Sequence, residues 1–159
     1  MGVLLQREEI AIITNKLQKE NKKIVFTNGV FDILHRGHVE YLNRARILGD
    51  VLVVGINADV SVQRIKGKKR PIVPEEDRAF VLSNLNSVDY VCLFPEDTPY
   101  ETIRLIRPDI LVKGADWQIE NIVGRDIVEQ RGGKVVTIDY VNGKSTTNII
   151  QRIIELNCQ

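Results

Sequence analysis

The chain carries two histidines, His35 and His38, and both fall in the stretch Thr27-Asn28-Gly29-Val30-Phe31-Asp32-Ile33-Leu34-His35-Arg36-Gly37-His38. Residues three apart on a helical turn face the same way. If a helix begins at Gly37, the two imidazoles flank its positive end and can aim N–H donors at one anionic group. Gly29, directly after an apolar run, lets backbone approach a ligand closely. The residues alone leave other chemistry open. Asp32, His35 and His38 are spaced as three metal ligands could be, although no further Cys or His is at hand to complete a structural site. Histidines with a purely structural role are the third reading.

A second candidate, Gly143-Lys144-Ser145-Thr146, resembles the end of a P-loop, but the glycine required five residues earlier is Ile138. What remains is a helix start at Ser145, Thr146 and Thr147, whose hydroxyls and free N–H groups can meet an anion or simply cap the helix. The run from Arg64 to Arg70 holds five cations in seven residues. Read singly, each of its lysines is a solvated side chain; as a loop, the run can hold anionic substrates. No G-x-G-x-x-G occurs.

These residues need a scaffold, and the hydrophobic pattern supplies one. Short apolar runs at 24–27, 51–56, 90–94, 110–112 and 135–138 lack polar alternation, as expected of parallel strands covered on both faces. Helical patterns lie between them. Val39, Leu42 and Ala45 follow the first strand, Phe80, Val81 and Leu85 precede the third, and Ile103 and Ile106 precede Pro108, which stops that helix. A last helix, 147–156, carries Ile149, Ile150, Ile153 and Ile154 as a stripe. The alternation predicts an α/β fold, a Rossmann-like doubly wound five-stranded parallel sheet. In such sheets ligands gather at the carboxyl ends of the strands, near the point where strand order reverses. Thr27 to Gly29, Asn57 to Asp59, Lys113 to Trp117, and Asp139 to Thr147 are therefore the segments expected at the site.

At 159 residues, the chain is the size of one domain, with 1–21 read as a helix packed outside a core at 22–154. Apolar residues make up 43% and charged residues 27%, with no run of eighteen apolar residues and no secretory leader pattern, which predicts a cytoplasmic protein without a membrane partner. The net charge of +1 speaks against a protein that coats nucleic acid. Cys92 and Cys158 are far apart and in no metal-type spacing, so each is expected to be a free thiol.

The segment from Thr27 to His38 resembles the T/N-G-x-F-D and H-x-G-H signatures of the cytidylyltransferase-like nucleotidyltransferases. Arg64-Ile65-Lys66-Gly67 with Arg70-Pro71, Glu96-Asp97-Thr98-Pro99, Pro108-Asp109-Ile110-Leu111-Val112-Lys113-Gly114, and Gly143-Lys144-Ser145-Thr146-Thr147-Asn148 further resemble the adenylyltransferase domain of ADP-heptose synthases. Five ordered motifs spread from Lys22 to Ile154 make the likeness specific. Bifunctional members of that family carry a sugar-kinase domain ahead of this one. The present chain has no room for it and is expected to be a stand-alone transferase working downstream of a separate sugar kinase.

The resemblance implies attack by a sugar-phosphate oxygen on the α-phosphorus of ATP, with pyrophosphate leaving. It implies ATP and a heptose 1-phosphate as partners, Mg2+ arriving with ATP and held by phosphates and water, and a possible homodimer. His35, His38 and Lys66 are the implied catalytic residues. The nucleotide is assigned to Thr27, Asn28, Gly29, Phe31, Gly37, Lys113, Gly114, Asp116, Ser145, Thr146 and Thr147, and the sugar phosphate to Asp32, Arg70 and Arg78, with Asp32 orienting either the substrate or the phosphate-binding loop; no protein metal ligand is named. Trp117 is expected either against a ligand or in the core or an interface. The nearest alternative is a glycerol-3-phosphate cytidylyltransferase, which shares the histidine motif and the S-T-T helix start. A nucleotide-binding regulatory module without turnover is the alternative from another class, and the retention of both histidines weighs against it.

Overall fold

The computed structural model describes residues 2–139, 141 and 143–157. In chain order the elements are β1 (Val3–Leu4), α1 (Arg7–Lys19), β2 (Ile24–Gly29), α2 (Arg36–Arg46), β3 (Val51–Asn57), α3 (Asp59–Lys66), α4 (Glu75–Ser83), β4 (Tyr90–Phe94), α5 (Tyr100–Ile106), β5 (Ile110–Gly114), α6 (Arg125–Gln130), β6 (Lys134–Ile138) and α7 (Thr146–Asn157). A single 3-10 turn, Ile119–Asn121, precedes α6. All strand pairings are parallel, in the order β1-β4-β3-β2-β5-β6. From β2 the chain winds outward through β3 and β4, then returns to lay β5 on the other flank of β2, so strand order reverses between β2 and β5.

The near-continuous apolar strands follow from burial on both faces. Val25, Leu52, Val54, Ile56, Val91 and Val112 pack with Leu42 and Ala45 of α2 and Ala79 and Leu82 of α4. Their strand neighbours Ile24, Phe26, Val53, Cys92 and Leu111 point the other way, against Ile10 of α1, Ile103 and Ile106 of α5 and Val128 of α6. The alternation of successive side chains across a strand divides each run between two cores. Cys92 is a free buried thiol there, its pKa pushed up to about 12 by burial. Cys158 lies outside the described residues.

The sheet has six strands where five were expected. The additional β1 is two residues long, too short to show any periodicity, and its Val3 and Leu4 pair with Tyr90 and Val91 at the sheet edge. The segment before Lys22 is thus a strand plus the expected helix, and α1 buries Ile10 and Thr14 completely. Four strands also run further than expected: β2 takes in Asn28 and Gly29, β5 Lys113 and Gly114, β3 Asn57 and β6 Lys134. Among the described residues no helix is long and apolar enough to cross a membrane.

Candidate active site

The carboxyl ends of β2 and β5, the start of α2 and the start of α7 enclose a cleft of about 540 Å3 at the strand-order reversal. His35 is the N-cap residue of α2 and His38 lies in its first turn, with the His38 backbone N–H donating to the His35 carbonyl at 2.9 Å. The rings stack, 3.9 Å between centroids and 22° between planes. A Cβ on Gly37 would come within 3.0 Å of the His35 ring and 3.2 Å of the Lys144 Cβ, so the glycine between the histidines lets the ring fold back beside α7. Phe31, held at a positive φ of 49°, sets its ring edge-on to His38 at 5.2 Å and comes within 3.0 Å of where a Cβ on Gly29 would lie, so a side chain there would press on the ring.

The Nδ1 atoms of both histidines are buried without a hydrogen-bond partner. Burial pushes the His35 pKa down, with Lys144 adding to the effect. Burial also lowers His38, to about 4, with His35 contributing. Both rings are therefore neutral near pH 7, each with one N–H donor and one acceptor nitrogen. An arriving phosphate is the charge that would compensate their desolvation.

Four cations reach this cleft. Lys66, the last residue of α3, and Arg70 line one part, Lys113 of β5 another, and Lys144 a third, just ahead of α7. The rest of the basic run divides as a solvated loop does. Arg64 turns away to Asp97 (2.7 Å) and the Pro95 carbonyl, and Lys68 and Lys69 are exposed. Burial pushes the Lys113 pKa down to about 8, against the pull of Asp116. Ser145 Oγ accepts the Asn148 N–H at 3.0 Å, capping α7, while Thr146 and Thr147 complete that wall of the cleft.

Most of the residues singled out from the sequence meet here: Asn28, Gly29, Phe31, Asp32, His35, Gly37, His38, Lys66, Arg70, Lys113, Gly114, Ser145, Thr146 and Thr147 all line the cleft. Three do not. Thr27 is fully buried behind it, sharing a 2.7 Å hydrogen bond with the Tyr41 hydroxyl, so its side chain supports the wall from behind. Asp116 is exposed beyond the end of β5. Arg78 is 2% exposed, and its guanidinium donates to the carbonyls of Val73, Val30 and Asn57 and to Asp59. It ties together the turns after β2 and β3; four of its five N–H donors are taken within the protein, and its fully buried side chain does not line the cleft. The segment Asn57 to Asp59, also expected at the site, does not line the cleft either.

Asp32 lines the cleft but is directed to the neighbouring loop. Its carboxylate accepts from Arg70 Nε (2.6 Å) and from the N–H groups of Ile72 and Val73. Burial pushes this carboxyl up, but the Val73 and Ile72 N–H groups and the Arg70 guanidinium outweigh it and hold its pKa below the usual range. The three-ligand metal reading does not assemble, since Asp32 is committed to that loop and no group of three His, Cys, Asp or Glu capable of holding a metal occurs among the described residues. Tyr41 and Lys144 line the cleft although no role was predicted for them. Tyr41 had a signal, three residues after His38 on the same helix, and Lys144 stood within the rejected P-loop fragment. Trp117 is 45% exposed, with the Lys113 ammonium 5.2 Å from its ring centre.

A switch-point cleft with stacked imidazoles at a helix start, ringed by cations, is built to receive an anionic ligand of the nucleotide type. The chain belongs to the cytidylyltransferase-like family, whose model matches residues 26–152. It is 52% identical over 149 residues to the bifunctional protein HldE of Pelobacter propionicus, covering 94% of this chain and 30% of that protein. To the bifunctional protein HldE of Nitratiruptor sp. it is 56% identical over 146 residues, covering 92% and 31%. The chain thus spans less than a third of the curated relatives it matches. In them the unit shares its polypeptide with a second function, unlike the stand-alone transferase expected from the sequence. A crystal structure of the lipopolysaccharide core biosynthesis protein from Thermoplasma volcanium GSS1 superposes with a TM-score of 0.62 at 33% identity, over 77% of this chain and 99% of that one.

Proposed function

We propose that the chain transfers AMP from ATP to D-glycero-D-manno-heptose 1-phosphate, forming ADP-heptose and pyrophosphate. The observation that carries the reading is the pair of neutral, partner-free imidazoles at the α2 start, facing a cleft whose other charged groups are mostly cationic. A sugar-phosphate oxygen attacks the α-phosphorus, the bond from that phosphorus to the α,β-bridging oxygen breaks, and its electron pair leaves with pyrophosphate. A phosphate monoester, with a second pKa of about 6, is already anionic near neutral pH, so no general base is required. The protein's task is to bring anions together and stabilise charge on the phosphoryl oxygens.

His35 and His38 donate to α- and β-phosphate oxygens, fixed donors placed where charge shifts in the transition state. Lys66 and Arg70 hold the acceptor phosphate, with Asp32 aligning Arg70 and the loop behind it. Ser145, Thr146, Thr147 and Lys144 receive the β,γ end of the triphosphate. Mg2+ bound to ATP fits this donor set, since the cleft offers cations and hydroxyls to phosphates in place of a carboxylate cage; the ion would supply charge neutralisation on the triphosphate. The reaction is placed in the cytoplasm, where ATP is supplied. The test is incubation with ATP labelled at the α-phosphate and heptose 1-phosphate. The reading requires label in a nucleotide-sugar and stoichiometric unlabelled pyrophosphate; label confined to ATP or ADP would overturn it.

A further inference from the structure

The strand-order reversal leaves a crevice between β2 and β5, and one side chain crosses it. The pairing of these strands ends at Thr27 with Val112, while β2 continues beside β3 to Gly29. Beyond that end, the Lys113 ammonium reaches to Asn28, 3.0 Å from Oδ1 and 3.4 Å from the backbone carbonyl. The same ammonium lies 5.2 Å from the centre of the Trp117 ring. No carboxylate pairs with it among the described residues, and Asp116 is the one charged group acting on it from a distance.

An ammonium only donates, whereas a carboxamide has an accepting end and a donating end. The contact therefore decides which way Asn28 is turned: Oδ1 to Lys113, Nδ2 away from it. Nδ2 has no partner in the protein among the described residues, and Asn28 lines the cleft. We propose that Lys113 is a positioning residue that locks the Asn28 amide so that its N–H donors are kept for the phosphates of the nucleotide. Without the ammonium the amide is free to turn over and present an oxygen to an anion. The inference rests on the nucleotide-binding reading above and assigns Lys113 an action through Asn28.

A double-mutant cycle on ATP affinity, read by calorimetry, tests this with N28A, K113M and the double variant. Each single change is expected to weaken ATP binding about tenfold, the scale of one hydrogen bond to a charged group. The double variant should be no weaker than N28A, because Lys113 has nothing left to position. Losses that multiply to about a hundredfold, or a K113M chain that binds ATP normally, overturn the inference while leaving the functional reading intact. If the wild-type chain binds no ATP, both fall. Should K113M not fold, wild type and N28A give the same answer between pH 7 and 10, where the Lys113 ammonium titrates. ATP affinity should fall through that range in the wild type and stay flat in N28A; an equal fall in both overturns the proposal.

Discussion

The two histidines act as a unit because of what surrounds them. Gly37 lets His35 fold against the helix start, Phe31 braces His38 from the side, and burial keeps both rings neutral. A fixed neutral donor contributes most where charge develops, and removing one such donor typically costs about 3 kcal/mol of transition-state stabilisation. His38→Ala should therefore lower kcat by about a hundredfold while ATP affinity stays within a few-fold, as steady-state rates and calorimetry would show. Turnover close to normal would remove His38 from the chemistry. The same burial has a consequence for stability. The His38 pKa is about 4 in the fold against 6.5 ordinarily, so the unfolded chain binds more protons between those values. This histidine's contribution is complete above about pH 6.5 and is lost as pH falls toward 4. Melting temperatures from pH 7 to 4.5 should fall more steeply in the wild type than in H38A; parallel curves would contradict the burial of that ring.

At the level of elements, the start of α7 is the test piece. Ser145 is occupied as a cap, which leaves the hydroxyls of Thr146 and Thr147 and the first free N–H groups facing the cleft. Thr146→Val should weaken ATP binding more than AMP binding, since AMP lacks the phosphates assigned to this end. Equal losses in parallel titrations would move the segment out of the triphosphate site. The helix start was readable from S-T-T ahead of an isoleucine stripe, and the histidine pair from its spacing. Other assignments failed for a physical reason: a sequence shows a side chain's chemistry but not its partners. Arg78 has the charge of a phosphate ligand, yet three carbonyls and Asp59 take its donors. Thr27 sits one layer behind the surface its neighbours form. Asp32 does line the cleft, and of its two expected roles the structure supports the orientation of the loop carrying Arg70. The strand β1 escaped because its two residues are defined only by the edge of β4 that they pair with.

On the scale of the whole molecule, a chain of net charge +1 assembles a cationic cleft by topology. Lys66, Arg70, Lys113 and Lys144 are up to 78 residues apart in sequence (144 − 66), and the doubly wound sheet delivers them to one crevice. Its field is local, suited to small anions rather than to a polyanion. What the fold leaves to chemistry is the choice of donor and acceptor. Under the proposed function the acceptor site would hydrogen-bond several heptose hydroxyls, and polar groups left unpaired by a smaller acceptor are costly. The most direct measurement is competition between heptose 1-phosphate and glycerol 3-phosphate at equal concentration, with ATP and then CTP as donor, resolving the products by mass. The account predicts ADP-heptose with pyrophosphate, with glycerol 3-phosphate disfavoured by about two orders of magnitude in kcat/KM. Predominant CDP-glycerol would contradict it.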